Sequence, residues 1–529
     1  MRPTPLRDGK GFAIVLLAAV CAAVPFPGRA AGLTDAQSRG RRIYEEGVGR
    51  APVRAVLAAT GLEAPGSAFP CINCHTEDGS GTSEGGVRSA DIRWKTLADD
   101  VPGVRGTGRT HPPYSEETLK RAITRGKDPA GKDLDEAHPR YAIGPADLED
   151  LAAFIKVLGG VPVPGVADDA VRIGVLLPER GPLADAGLRV RDLLSRYFEA
   201  VNARGGVFRR ALKLIALPFD PGRPGSAADA ARGAVADVFC FLANVGVPSD
   251  DEAARFLSAS KVPVIVPLQV ADDGGYGADR YTFHAIASVP DQARVAVDFL
   301  AERLPGPSAG IGLVYAEDRS GREGAKGVRE QVRKHPMVLS VEIPFVPGAL
   351  AAPSAVEKLR EHNPGAVVYL GGGRDFLGLL EEADRRQWQP LFVAPAPMVG
   401  GSIQAAPGDS MSSVFLVSPL APPDSAAGPT TAFAELERNL GAPGEHRSFL
   451  LLAFAGAMVL EEGLTRAGHA VTRESFVKRV EALNAFRTGV LPPLTFGANR
   501  RVGASGASVL RVDPARRRLV PASPWTTAR

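Results

Sequence analysis

The sequence predicts a multidomain protein in which an all-α domain is followed by a two-lobed α/β domain. The chain has 529 residues, which is too long for a single hydrophobic core. A motif with two cysteines and a histidine lies in the stretch SAFPCINCHTEDGS (residues 67–80), and a strongly periodic helix follows it at residues 148–158. From about residue 171, apolar runs of five to seven residues alternate with helical stretches, which predicts parallel sheets covered on both faces.

The composition is that of an ordinary globular protein. Apolar residues make up 45% of the chain, charged residues 23%, and the formal net charge is +3. The sequence shows no basic stripe and no aromatic ladder, so we expect no nucleic-acid partner.

The first residues predict export. Arg2, Arg7 and Lys10 precede the apolar run FAIVLLAAVCAAV (residues 12–24), and the small residues Ala30 and Ala31 follow it. This pattern predicts a signal peptide over residues 1–31 and a periplasmic location. The run of 13 apolar residues is short of the roughly 20 that a stable span needs, although an uncleaved anchor stays open as an alternative. A later apolar run, residues 449–460, stops at two glutamates and predicts a buried helix, so we expect no membrane span after signal cleavage.

The motif Cys71-Ile72-Asn73-Cys74-His75 has the spacing of a covalent haem attachment site. Two thiols one helical turn apart add to the two vinyl groups of a porphyrin, and the adjacent imidazole reaches the iron. A zinc site would need a second ligand pair, and the sequence has no second C-x-x-C. A thioredoxin-like redox pair stays possible. We therefore predict one haem c bound through Cys71 and Cys74, with His75 as the proximal iron ligand, and we expect Cys240 to be an inert buried strand residue.

The sixth iron ligand is not a nearby methionine, because none occurs between Met1 and Met337. The candidates are His138, His111, a lysine, or no protein ligand at all. Of these, His138 directly precedes the periodic helix, and we predict it as the distal iron ligand.

Residues from about 33 to 160 resemble a class I-like monohaem cytochrome c. The likeness rests on SRGRRIYEEGVG, CINCHTEDGSGTSEGGV, YSEETLKRAITRGKDPAGKDL and HPRYAIGPADLEDLAAFIKVLG. Members of that family usually have Met-Pro-Arg-Tyr where this chain has His138-Pro139-Arg140-Tyr141, so the resemblance implies a haem with two histidine ligands and a lower potential.

The rest of the chain resembles the type I periplasmic binding proteins, in particular the branched-chain amino-acid receptors of ABC transporters. The likeness rests on IGVLLPERGPLADAG, YFEAVNARGGVFRRALKLI, GVPSDDEAARFLSASKVPVIVP, VYAEDRSGREGAKGV and FRTGVLPPLTFGANRRVG. It implies two α/β lobes with a ligand cleft between them. By position, the resemblance assigns the following residues to the cleft: Val247, Ser249, Gln269, Ser320, Gly372 and Met398. Ser249 is equally placed to cap the following helix. The family's hydroxyl-rich carboxylate loop is partly replaced by Val247 and Pro248.

These predictions divide the chain into a signal peptide (1–31), a cytochrome c domain (32–160), a linker (161–170), a periplasmic binding protein-like domain (171–522) and a tail (523–529). We expect a non-enzymatic periplasmic cytochrome that carries out one-electron transfer, fused to a module that binds a small ligand or docks a redox partner. That redox partner would be a dehydrogenase or another cytochrome. The alternative is a transport or sensory receptor with an accessory haem domain, whose partner is an ABC permease.

Overall fold

The computed structural model describes residues 33–84, 87–98, 111–160, 162–248, 251–269, 279–304, 310–400, 410–420, 431–440, 446–513 and 518–527. The predicted signal peptide and Ser249 lie outside these residues. The chain falls into two compact units. The first is drawn from residues up to 73, from 85–87 and from 92–162, and the second from 74–84, 88–91 and 163–529.

The described residues of the N-terminal region include five α-helices. The first begins after Thr34, whose hydroxyl accepts a hydrogen bond from the Gln37 N–H while the Gln37 side chain accepts from the Thr34 N–H. It ends at Gly47, which has a left-handed backbone (φ 68°) that glycine adopts without strain. The helices are α1 (Asp35–Glu46), α2 (Ile72–His75), α3 (Trp94–Leu97), α4 (Glu116–Arg125) and α5 (Pro145–Ile155).

The expectation of an all-α N-terminal domain is incomplete, because this region also contains short strands. A three-stranded antiparallel sheet has the order β2-β1-β5, and a two-stranded sheet pairs β3 with β4. The physical reason is length, since two or three residues are too few to show the alternation that marks a strand in sequence. The strands are β1 (Arg54–Val56), β2 (Glu63–Pro65), β3 (Ser83–Glu84), β4 (Val87–Arg88) and β5 (Arg140–Ala142).

The core of the first unit forms mainly where α1 crosses α5. Tyr44 of α1 and Phe154 of α5 are buried with their ring centroids 5.4 Å apart. Gly40 permits the crossing, because a Cβ at this position would lie 1.9 Å from the Asp150 carbonyl oxygen. The predicted apolar face of α5 is confirmed, since Leu151, Phe154, Ile155 and Leu158 are all buried.

Lobe 1 of the second unit is built on a six-stranded sheet with the order β16-β10-β9-β8-β6-β7, in which the paired strands are parallel. Helices α6, α15 and α16 contribute to the core on one face, and α7 and α8 to the core on the other. The elements are β6 (Ala170–Pro178), α6 (Ala184–Ala203), β7 (Ala211–Phe219), α7 (Ser226–Ala234), β8 (Cys240–Leu242), α8 (Glu252–Ala259), β9 (Val264–Ile265), β10 (Thr282–Ile286), α14 (Thr431–Asn439), α15 (Arg447–Ala467), α16 (Arg473–Glu481) and β16 (Val502–Ala504).

Lobe 2 is built on a seven-stranded sheet with the order β12-β11-β13-β14-β15-β17-β18, parallel up to β15 and antiparallel beyond it. Helices α11 and α12 cover one face, and α9 and α10 the other. The elements are α9 (Val289–Ala301), β11 (Gly310–Ala316), α10 (Arg319–Val332), β12 (Val338–Phe345), α11 (Ala352–His362), β13 (Ala366–Leu370), α12 (Gly373–Arg385), β14 (Leu391–Pro395), α13 (Ala396–Val399), β15 (Val414–Ser418), β17 (Ser508–Asp513) and β18 (Arg518–Pro521).

The order of the strands requires the chain to pass between the lobes three times. It leaves lobe 1 after β10, returns after β15, and crosses again between β16 and β17. The predicted two-lobed α/β architecture with both faces of each sheet covered is therefore confirmed.

Helix α15 contains the apolar run that the sequence analysis singled out. It has 21 residues and a mean hydropathy of 1.5, so it passes a length and composition test for a membrane span. Most of this helix is buried, and it packs against α6, α16 and the strands of lobe 1. The prediction of a buried core helix is confirmed.

Candidate functional site

The Cys-x-x-Cys-His motif lies on and directly before the short helix α2. Cys71 is half-buried and packs against the apolar core of the first unit, whereas Cys74 is exposed on the helix. The two sulfur-bearing residues are thus one helical turn apart in the structure as well as in the sequence.

The imidazole of His75 is held through one ring nitrogen. Its Nδ1 lies 2.9 Å from the backbone carbonyl oxygen of Ala90. A carbonyl accepts but cannot donate, so this contact places the proton on Nδ1 and the lone pair on Nε2. Burial lowers the pKa of His75, which keeps the ring neutral at neutral pH. A histidine that ligates a metal must be neutral, so that the ligating nitrogen has a free lone pair. Its other ring nitrogen ordinarily carries a proton that is held by a carbonyl or carboxylate.

A tight turn follows the histidine. Asp78 Oδ1 accepts hydrogen bonds from the Thr76 hydroxyl at 2.7 Å and from the Ser80 N–H at 3.1 Å, and the Gly81 N–H donates to the His75 carbonyl at 3.1 Å. Thr76 has φ 66°, a left-handed conformation that is unfavourable for a β-branched residue. The hydrogen bonds of Asp78 compensate for this strain.

The two candidate distal histidines have different surroundings. His138 is half-buried, and its Nδ1 lies 3.4 Å from the Arg140 guanidinium, which can only donate. In that arrangement the proton of His138 is on Nε2, so ligation through Nε2 would need the opposite tautomer. His111 is held by its Nδ1 near the Pro112 carbonyl oxygen at 2.8 Å and by an edge contact with Tyr114.

The residues present therefore fit a covalent haem on the proximal side. The fit rests on the thiol spacing and on the fixed, neutral imidazole of His75. Among the described residues, no group of three or more His, Cys, Asp or Glu side chains is placed to hold a bare metal ion.

Lobe 1 contains an open pocket near the carboxyl ends of β8 and β9. Its cavity volume is about 50 Å³, and the space that includes its open mouth is about 530 Å³. Two of the predicted cleft residues, Val247 and Gln269, line it. The remaining described lining residues are Asn244, Ala254, Leu257, Val264, Pro267, Asp279, Thr282 and His284.

Three of these polar residues are fixed by the backbone of the sheet or of a turn. Asn244 is buried, and its Oδ1 accepts from the Leu176 N–H at 3.0 Å, which leaves its NH₂ group as the donor available to the pocket. Thr282 donates to the Asp279 carboxylate, which also accepts from the Tyr281 N–H at 2.9 Å. The carboxylate of Asp279 therefore already accepts two hydrogen bonds within its own turn.

His284 is a buried member of the pocket wall. It alternates with Phe283 along β10, so it shares a face with Thr282 and, through strand pairing, with Val264. The pocket thus joins an aliphatic wall to several polar groups, the arrangement of a small-molecule site.

The predicted cleft residues of lobe 2 follow the carboxyl ends of its strands. Ser320 lies in the first turn of α10, where the Asp318 side chain accepts from the Gly321 N–H at 2.8 Å. Gly372 precedes α12, and its carbonyl accepts from the Tyr369 hydroxyl at 2.8 Å. Met398 is half-buried in α13 and packs against the core of lobe 2. These positions occupy the same edge of the sheet, where ligands of open α/β sheets bind.

Sequence reasoning missed Asn244, Asp279, Thr282 and His284. Asn244 directly follows the apolar run of β8, and His284 lies inside the buried strand β10. These two residues could have been found in the sequence as polar residues inside, or at the end of, a predicted core strand. Such residues are informative because polar side chains are rarely buried without a structural or functional role.

Comparison with known proteins identifies relatives of the second unit. Residues 170–517 match the family model described as periplasmic binding protein. A Leu/Ile/Val-binding protein of Rhizobium johnstonii is 23% identical over 316 residues, which cover 58% of this chain and 82% of the relative. A Leu/Ile/Val-binding protein homolog of Brucella melitensis is 23% identical over 305 residues, covering 56% of this chain and 79% of the relative.

Solved structures share the fold of lobes 1 and 2. A fatty acid ABC transporter substrate-binding protein from Thermomonospora curvata superposes with a TM-score of 0.57 at 18% identity, covering 69% of this chain and 94% of that protein. A branched-chain amino acid ABC transporter protein from Thermus thermophilus with bound valine gives 0.55 at 16% identity, covering 68% and 97%.

Proposed function

The chain belongs to the periplasmic binding protein family, and we propose that it is a receptor that captures a small solute and delivers it to an ABC permease. The family consists of solute-binding proteins, so the prediction that the chain is not an enzyme is confirmed by its membership. Membership also implies a periplasmic location.

The observation that carries this proposal is the pocket at the carboxyl edge of the lobe 1 sheet. Its lining combines the aliphatic side chains of Val247, Leu257 and Val264 with the amide of Asn244 and the imidazole of His284. A small molecule with an aliphatic body and a polar head matches these walls. Relatives described as Leu/Ile/Val-binding proteins, and solved structures described as binding valine or as fatty acid receptors, support this ligand class for the present chain.

The structure bears on the amino-acid ligand through Val247. Where the family places hydroxyl groups for the ligand carboxylate, this chain has a buried valine that packs in the α7–α8 core. We therefore propose that contacts to an α-carboxylate contribute little to the binding free energy of the ligand. Aliphatic acids or alcohols should then compete well with valine.

A thermal unfolding screen tests this proposal. Valine, leucine, isoleucine, short and medium-chain fatty acids, and small alcohols are each added to the purified protein. A true ligand at a hundred times its Kd stabilises the folded state by about 2.7 kcal/mol and raises Tm. Gln269→Ala should weaken the response by about fivefold in Kd, whereas Gln389→Ala, an exposed position in lobe 2, should leave it unchanged. A protein whose Tm responds to none of these compounds would contradict the proposed ligand class.

A second function is favoured by the geometry of His75. We propose that Cys71 and Cys74 hold one haem c covalently, that Nε2 of His75 is its proximal ligand, and that His138 is its distal ligand. The bound group would supply one-electron redox chemistry, exchanged with a periplasmic dehydrogenase or another cytochrome. This proposal rests on the thiol spacing and on the Nδ1 contact with Ala90; the comparisons concern the binding module and do not bear on it.

Expression together with a haem-ligation system tests the second function. We expect a coloured protein whose added mass survives acid–acetone extraction. Cys74→Ala should reduce covalent attachment. His138→Ala should change the spectrum if His138 ligates iron, while His111→Ala serves as the matched control. A colourless protein without added mass would leave the receptor function standing and remove the electron-transfer function.

A further inference from the structure

The segment that follows the Cys-x-x-Cys-His motif is connected to lobe 1 by a charged hydrogen bond. Thr472 Oγ1 donates to Glu77 Oε2 at 2.6 Å, although the two residues are 395 positions apart in the chain. Both residues belong to the second compact unit, which includes residues 74–84. Glu77 and Thr472 are both half-buried, so water screens this contact less than it screens an exposed ion pair.

The donor to Glu77 is the residue that caps the N-terminus of α16. Thr472 is the residue that caps this nine-residue helix, and its hydroxyl oxygen also accepts from the Ser475 N–H at 3.0 Å. The N-terminus of a helix carries partial positive charge, which favours a carboxylate there. The observed hydrogen bond and the helix dipole therefore act in the same direction.

Helix α16 is in turn fixed to the sheet of lobe 1. The Arg473 guanidinium donates to the backbone carbonyls of Val235 and Phe239 at 2.9 Å and of Val238 at 2.7 Å. The ring of Phe476 packs edge-on against Phe239, with centroids 5.4 Å apart. Phe239 directly precedes β8, and the loop after β8 reaches the pocket at Asn244.

The segment that carries Glu77, the acceptor of this hydrogen bond, is held together by hydrogen bonds of its own. Asp78 bonds to Thr76 and Ser80 on either side of Glu77, and the Gly81 N–H closes the turn on the His75 carbonyl. The His75 ring is tied to Ala90. A displacement of Glu77 would therefore displace the backbone next to His75.

We propose that Glu77 is a positioning residue whose contact with Thr472 holds residues 74–81 on lobe 1 within the second unit, so that His75 keeps a fixed place relative to β8 and its pocket loop. The proposal concerns the side chains of this chain and goes beyond the receptor and haem functions. Its failure would leave both of them standing.

Hydrogen exchange of the full chain, read by mass spectrometry, tests the contact. Thr472→Asp keeps a good helix cap, because aspartate is a favoured capping residue, but it sets two carboxylates against each other. We expect the amides of residues 76–81 to exchange at least about tenfold faster, while those of α16 stay protected. Glu77→Ala should have the same effect on residues 76–81.

Three variants give the matched controls. Thr472→Ser keeps the hydroxyl and should keep the parent rates. The double variant Glu77→Lys with Thr472→Asp replaces the repulsion of two carboxylates by an ion pair, so its residues 76–81 should exchange more slowly than those of Thr472→Asp alone. Glu199→Gln removes one exposed carboxylate from α6 of lobe 1 and should leave residues 76–81 unchanged.

The outcomes are distinct. Unchanged exchange of residues 76–81 in Glu77→Ala overturns the proposal, and so does a double variant that exchanges as fast as Thr472→Asp alone. If Thr472→Asp also loosens α16, the result for Glu77→Ala decides, because that change leaves the helix cap in place.

Discussion

At the scale of single residues, burial separates the cysteines by reactivity. Cys240 is fully buried in β8, and desolvation raises the pKa of its thiol to about 12. Cys74 is exposed. The thiolate is the reactive form, so Cys240 is almost entirely protonated and shielded at pH 8. The prediction that Cys240 is a buried strand residue is confirmed, and its low reactivity stays a prediction.

Thiol titration with a disulfide reagent at pH 8 measures this difference. In native haem-free protein lacking residues 1–31, we expect Cys74 to react rapidly and Cys240 to react only after unfolding in guanidinium. In haem-loaded protein, thioether formation removes Cys71 and Cys74, so unfolding should release one thiol where the haem-free chain shows three. Rapid reaction of Cys240 in the native Cys71→Ser, Cys74→Ser variant would contradict the assignment.

Asp150 gives a prediction with a definite pH dependence. Its carboxylate is buried and accepts from Arg39 Nε at 2.7 Å and also from Arg50, and the Arg39 contact lowers the pKa of Asp150. A carboxylate with a lowered pKa contributes stability above its unfolded value of about 3.9 and loses it as the pH falls through the folded value. Asp150→Asn should therefore destabilise the contact of α1 with α5 by about 1–2 kcal/mol at pH 7 and by less as the pH falls below about 3.9.

Hydrogen exchange of α1 and α5, compared between variant and parent at each pH, measures this effect. Glu63→Gln is the control, because its partner Arg54 is exposed and such pairs contribute at most about 1 kcal/mol. An equal difference at pH 7 and pH 3 would contradict the role of the Asp150 charge.

At the scale of elements, the crossing of α1 and α5 depends on the absence of a side chain at Gly40. A methyl group there would lie 1.9 Å from the Asp150 carbonyl oxygen and 2.8 Å from Phe154 Cβ, so one helix must move. Gly40→Ala should destabilise the helix pair by about 1–3 kcal/mol, visible as faster exchange in both helices. Gly160→Ala, where the nearest atom is 3.6 Å away, should have no such effect. Unaltered exchange in Gly40→Ala would show that the two helices accommodate a methyl group at this position, and it would contradict the prediction.

The elements also show how far sequence reasoning reached. The apolar runs VRIGVLL, AVVYL and SSVFLV became β6, β13 and β15, because strands buried on both faces are continuously apolar, whereas LKLIAL became β7, an edge strand that is mostly exposed or half-buried. The three-residue strands β1, β2 and β5 gave no pattern to detect. The pocket was out of reach for another reason: Asn244, Gln269 and His284 come together only because β8, β9 and β10 are neighbours in the sheet, and strand order is not a local property.

At the scale of the whole molecule, the cores are segregated by chain position. The apolar clusters of both lobes are built from residues after 162, and the cluster of α1 and α5 from residues before 159. Domains with separate cores fold independently unless an extensive apolar interface joins them. The receptor function proposed here therefore belongs to the later residues, while residues 74–84 contribute to the same compact unit through contacts such as the one between Glu77 and Thr472.

A truncated chain that begins at residue 163 tests this segregation. We expect it to fold, to show the same ligand-induced rise in Tm as the full chain, and to bind with the same Kd within about twofold, because the described lining of the pocket comes from residues 244–284. Its α16 should stay protected, because the cap that Thr472 provides to the Ser475 N–H does not depend on Glu77. The Glu77→Ala full chain is the matched control and should likewise keep α16 protected, with both cores intact. A truncated chain that folds but loses the ligand response would instead place part of the binding site in the N-terminal residues.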